Sequence, residues 1–228
     1  WFRRLASEQS IVVNVGLANR GVAKAIEQIR SYSPRVWRDF PLSVSVAKTN
    51  SPKQVRPKQA IADYCDSLRQ LEAAGCAPLY EINISCPNAY GGEPFTTPAR
   101  LKKLLTAVDE LKLSRPVFIK MPTDKTWTQF AKLISIIDKH NVAGLTIGNL
   151  VKDRSKLTDP SVLPDDTPGS LSGRPAQAIT TRLIHKTYAL YGDRFVIIGV
   201  GGVFTAEDAY EKIRAGASLV ALVTALMF

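Results

Sequence analysis

Residues 195–202 read FVIIGVGG, an apolar run that ends in two adjacent glycines. The run predicts a strand buried on both faces, and the glycines predict a tight turn whose backbone N–H groups can face an anion. It is the fifth of six strand-like segments in the chain. A doubly wound sheet carries its glycine-rich phosphate turn after the first strand. The late position therefore favours a TIM (β/α)8 barrel, where phosphate turns follow the last strands.

Short apolar segments alternate with stretches of helical periodicity, which is typical of βα units around a parallel sheet. The predicted strands are Leu42–Val46, Leu79–Ile84, Val117–Lys120, Gly144–Ile147, Phe195–Val200 and Ser218–Leu222. The predicted helices are Lys58–Ala74, Pro98–Lys112, Trp127–His140, Pro175–Tyr191 and Ala206–Ala215. The chain starts at Trp1 and stops at Phe228, directly after an apolar strand. We therefore expect one barrel domain over residues 1–228, with N-terminal strands and a C-terminal helix missing.

Composition limits the classes of site. The chain has 228 residues, 45% of them hydrophobic, which is enough for a core without disulfide or metal staples. Its three cysteines, Cys65, Cys76 and Cys86, form no CxxC pair, and His140 and His185 are the only histidines. This pattern argues against a zinc site and against a Cys/His nucleophilic pair. We expect reduced thiols in a cytosolic compartment.

The net charge of +10 indicates an anionic partner or surface. The basic residues are scattered along the chain rather than massed in one tract with aromatics between them. This distribution predicts no nucleic-acid partner. No apolar run reaches the ~18 residues that span a bilayer, but contact with an anionic membrane face stays open.

Polar side chains follow the predicted strands, where barrel proteins place their chemistry. Residues 81–88 read EINISCPN, so a strand ends in Cys86. A lone cysteine is usually a small buried hydrophobic residue. However, the flanking Asn83, Ser85 and Asn88 would be costly in an apolar core. Cys86 is therefore predicted to be a functional thiol.

The stretch NISCPN, residues 83–88, resembles the substrate loop of the dihydroorotate dehydrogenase family. The resemblance implies that Cys86 is the catalytic base and that Asn83 and Asn88 grip the substrate, with Asn83 also near the cofactor FMN. PVFIK is similar to the family's strand ending in a lysine beside the flavin, here Lys120. GLTIGN ends in Asn149, which would contact both substrate and flavin.

Three later motifs, SLSGRP, IIGVGGV and IRAGASLVALVTAL, are similar to the family's turns around the FMN phosphate and ribityl chain. Backbone N–H groups in such turns, beside a helix N-terminus, can hold a phosphate dianion. The cofactor-binding residues implied by these motifs are Ser172, Gly173, Gly201, Gly202, Val223 and Thr224.

Residues 13–21, VNVGLANRG, resemble the family's N-terminal substrate stretch, which implies substrate contacts for Gly16 and Leu17. The departures from the family pattern are Val13 at a substrate-binding Asn, Ser45 at a flavin-contacting Asn, Leu150 at a Thr or Ser, and Val223 at a Tyr. The changes at Val13 and Leu150 remove polar contacts to the substrate.

The resemblance implies oxidation of (S)-dihydroorotate to orotate with hydride transfer to FMN, in de novo pyrimidine biosynthesis. Family members with a Cys base are soluble and use fumarate or NAD. In contrast, VAKTN, SLSGRP and IRAGASLVALVTAL look more like the membrane-associated, quinone-using division. We predict quinone as the electron acceptor, with fumarate as the alternative. The expected location is the cytoplasmic side, with peripheral contact to an inner membrane.

Two other functions are retained. The first is an FMN oxidoreductase of the same fold with a different pyrimidine-like or enoate substrate, which Val13 and Leu150 favour. The second is a non-catalytic barrel that serves as a binding or assembly partner.

Residues 150–173 carry several Pro, Gly and Asp residues and show little periodicity. A loop of this length usually has a function, and it follows Asn149 directly. The pattern predicts a mobile lid over the substrate.

Overall fold

A computed structural model of the protein describes residues 2–86 and 91–228. Its main sheet has six parallel strands, which lie in the order in which they occur along the chain. They are β3 (Ser43–Ala47), β4 (Leu79–Asn83), β5 (Val117–Met121), β6 (Gly144–Ile147), β8 (Val196–Val200) and β9 (Leu219–Ala221). A doubly wound sheet reverses its strand order at a switch point. The steady order found here is that of a barrel wall, and all six predicted strands are confirmed.

Seven helices connect or flank the strands within the described residues. They are α1 (Val22–Ser31), α2 (Pro34–Asp39), α3 (Pro57–Ala74), α4 (Pro98–Asp109), α5 (Trp127–Ile137), α6 (Gln177–Tyr191) and α7 (Ala206–Arg214). Local chemistry sets several of their ends. Thr126 with Gln129, and Thr205 with Asp208, form capping boxes that begin α5 and α7. Gly75 ends α3 with a left-handed φ of 60°, a conformation that glycine adopts without a Cβ penalty.

The two faces of the parallel sheet differ in chemistry. One face packs its alternate residues, such as Ile82, Ile119 and Leu145, into the hydrophobic core against the helices. Because side chains alternate along a strand, Asn83 and Lys120 lie on the opposite face. The register pairs Asn83 with Lys120. In a barrel this second face is the interior, so the strand ends deliver polar side chains there.

A second, three-stranded sheet was not predicted. It consists of β1 (Phe2–Leu5), β2 (Ser10–Val13) and β7 (Ser170–Gly173), paired antiparallel in the order β1-β2-β7. The six predicted strands are parallel as expected, and this antiparallel sheet is additional to them. The strands of the antiparallel sheet have four residues each, too few to show a period.

The structure also corrects the interpretation of residues 150–173 as a mobile lid. Two 3-10 turns and β7 lie in this segment, and Val151 bridges to Leu171. Its side chains Leu157 and Leu163 are buried in a small core with Leu5 and Val12. The segment is packed against β1 and β2, which removes the basis for gating.

Among the described residues, no helix is both long and apolar enough to cross a membrane.

Candidate active site

One row of the barrel-interior face carries the first group of predicted site residues. Lys120 on β5 is flanked in the register by Asn83 on β4 and Thr146 on β6. Among the described residues, Thr146 Oγ1 is one of two buried side-chain atoms without a hydrogen-bond partner. A buried hydroxyl without a partner costs free energy. The row is therefore suited to a polar ligand that contacts Lys120 and Thr146.

Ser85 links the two predicted asparagines that the structure describes. Its Oγ donates to Asn83 Oδ1 at 3.2 Å, and Asn149 Nδ2 donates to the same Ser85 Oγ at 2.6 Å. Leu150 N–H donates to Asn149 Oδ1 at 2.8 Å, which fixes the orientation of that amide. Asn83 and Asn149 thus come from different strands to one place. Asn88 lies outside the described residues.

Cys86 follows β4 and is half-buried, at the strand end where the sequence placed it. Beneath it, Tyr64 Oη donates to Asn83 O at 2.8 Å, which ties this strand end to α3. Burial raises the pKa of Tyr64, so its hydroxyl stays a proton donor. The end of β4, three residues before Cys86, is therefore anchored to α3.

Lys48 lies beside the candidate site, and sequence reasoning did not single it out. It follows β3, and its side chain is 4% exposed. Burial lowers the pKa of Lys48, while Asp63 and Cys86 act electrostatically in the opposite direction. Hence the ammonium and the Cys86 sulfur lie within electrostatic reach of each other. The signal was present in VAKTN, where a lysine directly follows an apolar strand.

A cavity at the carboxyl ends of the strands gathers most of the predicted cofactor residues. It is bounded by three glycine-containing turns and by the end of β5. The predicted residues that line it are Lys120, Asn149, Ser172, Gly173, Gly201, Gly202, Val223 and Thr224. Thr224 Oγ1 and Ser172 Oγ are hydrogen-bonded at 2.8 Å, so both sheets contribute to one wall.

The glycine turns of this cavity leave no room for side chains. A Cβ at Gly202, whose φ is +72°, would lie 2.4 Å from Gln177 Cβ. A Cβ at Gly173, whose φ is +82°, would lie 2.3 Å from Gln9 O. Both positions therefore require glycine, for space as well as for φ. The result is a cradle lined by backbone, beside the N-terminus of α6, which is suited to a phosphate.

A second cavity is lined by predicted site residues that do not line the first. It is lined by Leu17, Ser45, Asn83 and Lys120, among others, so Lys120 borders both cavities. Leu17 has a left-handed φ of 63°, and the preceding Gly16 accepts a hydrogen bond from Asn50 Nδ2 at 2.8 Å. Ser45 Oγ donates to Glu81 Oε1 at 2.7 Å, so its hydroxyl already has a partner.

The fold and these cavities define a (β/α)-barrel protein with a glycine-lined cradle and a thiol at the carboxyl ends of its strands. A comparison of the sequence with known protein families identifies which family this is. The sequence profile of the dihydroorotate dehydrogenase family matches residues 3–228, and the chain belongs to that family. The family is flavin-dependent, and the predicted family is confirmed.

Curated relatives support the assignment to this family. The chain is 33% identical over 232 residues to the dihydroorotate dehydrogenase (quinone) of Cyanothece sp., covering 99% of this chain and 60% of that protein. It is 31% identical over 216 residues to the enzyme of the same name from Mycolicibacterium smegmatis, covering 95% of this chain and 58% of that protein. The chain thus spans about 60% of the length of the first of these relatives.

A solved structure supports the architecture. The DHODH of Eimeria tenella in complex with ferulenol superposes with a TM-score of 0.87 at 23% identity. The superposition covers 100% of this chain and 65% of that one. The barrel fold predicted from the glycine turn after the fifth strand is confirmed.

Proposed function

We propose that the protein oxidises (S)-dihydroorotate to orotate, with FMN as the cofactor and a quinone as the electron acceptor. The observation that carries this proposal is the cavity that Lys120 and Asn149 line together with the glycine turns at Gly173 and at Gly201–Gly202. Its residue types suit a flavin that carries a phosphate. The relatives from Cyanothece sp. and Mycolicibacterium smegmatis are named as quinone enzymes, which supports the choice of acceptor.

The cofactor-binding residues divide by the part of FMN that they would hold. The backbone of Gly201, Gly202 and Thr224, with Ser172 and Gly173, would hold the phosphate and ribityl chain. Lys120, on the interior row, would stabilise negative charge on the flavin ring. When bound, FMN supplies the acceptor for a hydride. Ser45, which borders the second cavity, would approach the flavin from the β3 side.

The substrate would lie between this cofactor and the loop after β4. Cys86, as thiolate, would take the proton from C5 of dihydroorotate. Asn83 and Asn149, linked through Ser85, would hold the amide and carboxylate groups of the substrate in line with the thiol. The role of Asn88 remains a proposal from the sequence motif. Gly16 and Leu17 would make further contacts with the substrate.

A second candidate is an FMN oxidoreductase of this fold that acts on a different pyrimidine-like or enoate substrate. Leu150 favours it, because this residue lines the first cavity where a hydroxyl would otherwise offer a hydrogen bond. An apolar side chain there lowers the affinity for a polar substrate edge.

A turnover assay on the full-length protein tests the proposal. The purified protein is expected to carry flavin absorbance and to oxidise dihydroorotate faster with a ubiquinone analogue than with fumarate. Fumarate-dependent turnover would contradict the choice of acceptor. A flavin-loaded protein that does not oxidise dihydroorotate would favour the second candidate. A protein that binds no FMN would overturn both.

A further inference from the structure

Lys212, on α7, is a buried cation that the proposed chemistry does not use. Its side chain is 0% exposed. Its Nζ donates to Thr180 Oγ1 at 2.8 Å and to Thr181 Oγ1 at 2.9 Å. It also donates to Gln177 O at 3.4 Å, and all three acceptors are neutral. Asp208, one turn away on the same helix, is paired with Arg174 at 2.9 Å instead.

This environment is costly for a positive charge. Burial lowers the pKa of Lys212 to about 8, although Asp208 and Glu211 act in the opposite direction. A buried ammonium that is held only by hydroxyl and carbonyl oxygens keeps much of its desolvation cost. A negative group nearby would offset that cost.

The position of Lys212 shows where that group would lie. A Cβ at Gly199 would be 3.1 Å from Lys212 Cδ, so the side chain passes directly under β8. A Cβ at Gly201 would be 3.4 Å from Thr180 Oγ1, the hydroxyl that accepts from Lys212. Thus a single hydroxyl separates the ammonium from the turn that lines the cavity.

We propose that Lys212 is the buried counter-charge for the phosphate monoester of the cofactor, acting through the Gly201–Gly202 turn without touching the phosphate. It is a positioning residue that selects FMN over the dephosphorylated flavin. This inference rests on the proposed FMN site. The Gly201–Gly202 backbone lines the cavity, and Lys212 lies on the opposite side of that turn. Lys212 therefore supplies a full positive charge, which the backbone dipoles alone do not carry.

The expected effect is measurable because the intervening medium is protein rather than water. A unit charge several ångströms from a dianion in an environment of low dielectric changes binding by about tenfold or more. Riboflavin has the same ring and ribityl chain without the phosphate. Its affinity should not depend on Lys212.

The test uses the full-length protein stripped of flavin, titrated with FMN and with riboflavin by fluorescence quenching. Lys212→Met keeps the length of the side chain and removes the charge. We expect the Kd for FMN to rise by about tenfold or more, while the Kd for riboflavin stays within about twofold. Thr187→Val is the control, since Thr187 is buried on α6, the helix that carries Thr180 and Thr181, and donates to Leu183 O at 2.7 Å.

Two outcomes overturn the inference. An FMN preference that survives Lys212→Met shows that the charge does not act on the phosphate. An equal loss of FMN and riboflavin affinity shows that Lys212 only supports α6. A wild-type protein with no preference for FMN over riboflavin overturns the proposed phosphate site as well, so the two failures are distinguishable.

A measurement on the wild-type protein covers the case in which Lys212→Met does not fold. The charged and titratable groups around Lys212 are Asp208, Glu211 and Arg214 on α7, Arg182 and His185 on α6, and Arg174 before α6. Lys212 is the group among them whose pKa is brought to about 8. The FMN preference should therefore fall between about pH 7 and about pH 9, as the ammonium loses its proton. A preference that is constant over this range overturns the inference.

Discussion

Cys86 and Lys48 follow two neighbouring parallel strands, β4 and β3, whose register pairs Asn83 with Ala47. The sequence motif predicts a functional thiol at Cys86, because polar residues surround it in EINISCPN. It could not identify the lysine as part of the same site. Lys48 and Cys86 are far apart in sequence, and only the parallel pairing brings them together.

The first prediction concerns Cys86 as the base. In the flavin-loaded full-length protein, Cys86→Ala should slow flavin reduction by dihydroorotate by about 10²–10⁴-fold, the usual contribution of a general base. Flavin content should not change. Cys86→Ser should keep part of the rate, with a pH profile displaced upward, because a hydroxyl ionises less readily than a thiol. Stopped-flow absorbance reads this half-reaction whatever the final acceptor is.

Cys76→Ala serves as the control, since Cys76 is a half-buried thiol that lies before β4 rather than at its carboxyl end. If Cys86→Ala reduces its flavin at the wild-type rate, Cys86 is a structural thiol.

The second prediction concerns Lys48. Since an ammonium favours the thiolate form of a nearby cysteine, Lys48→Met should move the alkylation of Cys86 by iodoacetamide to higher pH, by about one unit. Mass spectrometry of the labelled peptide over a pH series measures the shift, and labelling of Cys76 in the same sample is an internal reference. Lys53→Met, at an exposed position, is the matched control. An unchanged pH profile in Lys48→Met would show that this lysine serves the fold alone.

At the scale of elements, Glu8 fixes the segment between β6 and β7. It is buried in the turn between β1 and β2, and its carboxylate accepts from Thr158 N–H at 2.6 Å and Asp159 N–H at 3.1 Å. Two backbone donors of a long connection are thereby satisfied by one charged side chain. This is why the segment is packed rather than loose.

The third prediction follows from this anchor. Glu8→Ala leaves both amides without their acceptor and should cost about 1–3 kcal/mol of unfolding free energy. Amide hydrogen exchange at Thr158 and Asp159 should accelerate more than exchange in β5. Glu27→Ala is the control, because its ion pair with Lys24 is exposed and should contribute little. Equal protection in Glu8→Ala and wild type would mean that the apolar contacts of Leu157 and Leu163 suffice.

The strands and helices differ in how far the sequence could predict them. The parallel strands are continuous apolar runs, and β6 was predicted with its observed bounds, Gly144–Ile147. In the small sheet that was missed, β2 pairs with β7 over about 160 positions, as between Ser10 and Gly173, whereas β1 and β2 are two short strands of a local hairpin. No local period records such a contact. Helices α1 and α2 were not predicted, and neither contains a buried residue.

At the scale of the molecule, the candidate cofactor site lies where the two sheets meet. The motif SLSGRP places Ser172 and Gly173 on the antiparallel sheet, whereas Gly201, Gly202 and Thr224 follow strands of the parallel sheet. The sequence predicted these residues as one site from their family motifs. It could not predict that they come from two sheets. A ligand in the cavity would therefore hold the two sheets together.

The fourth prediction follows from this arrangement. A ligand that binds the folded state alone stabilises it by mass action, by about 2.7 kcal/mol at a concentration of 100 times Kd. For a protein of this size, each kcal/mol raises Tm by about 2–4 °C. Adding FMN to the flavin-free full-length protein should therefore raise Tm by several degrees, in proportion to the logarithm of its concentration. Differential scanning calorimetry measures the shift, and riboflavin at equal concentration should give a smaller one.

The control for this prediction is a variant in which the cradle is closed without loss of charge. Gly202→Ala places a Cβ 2.4 Å from Gln177 Cβ, in a turn with a φ of +72°, and should lower both Tm and FMN affinity. In that variant the FMN-dependent rise in Tm should shrink or vanish, because the backbone N–H groups no longer face the phosphate. If Gly202→Ala keeps the full FMN-dependent rise, the phosphate is held elsewhere and the two-sheet site is wrong.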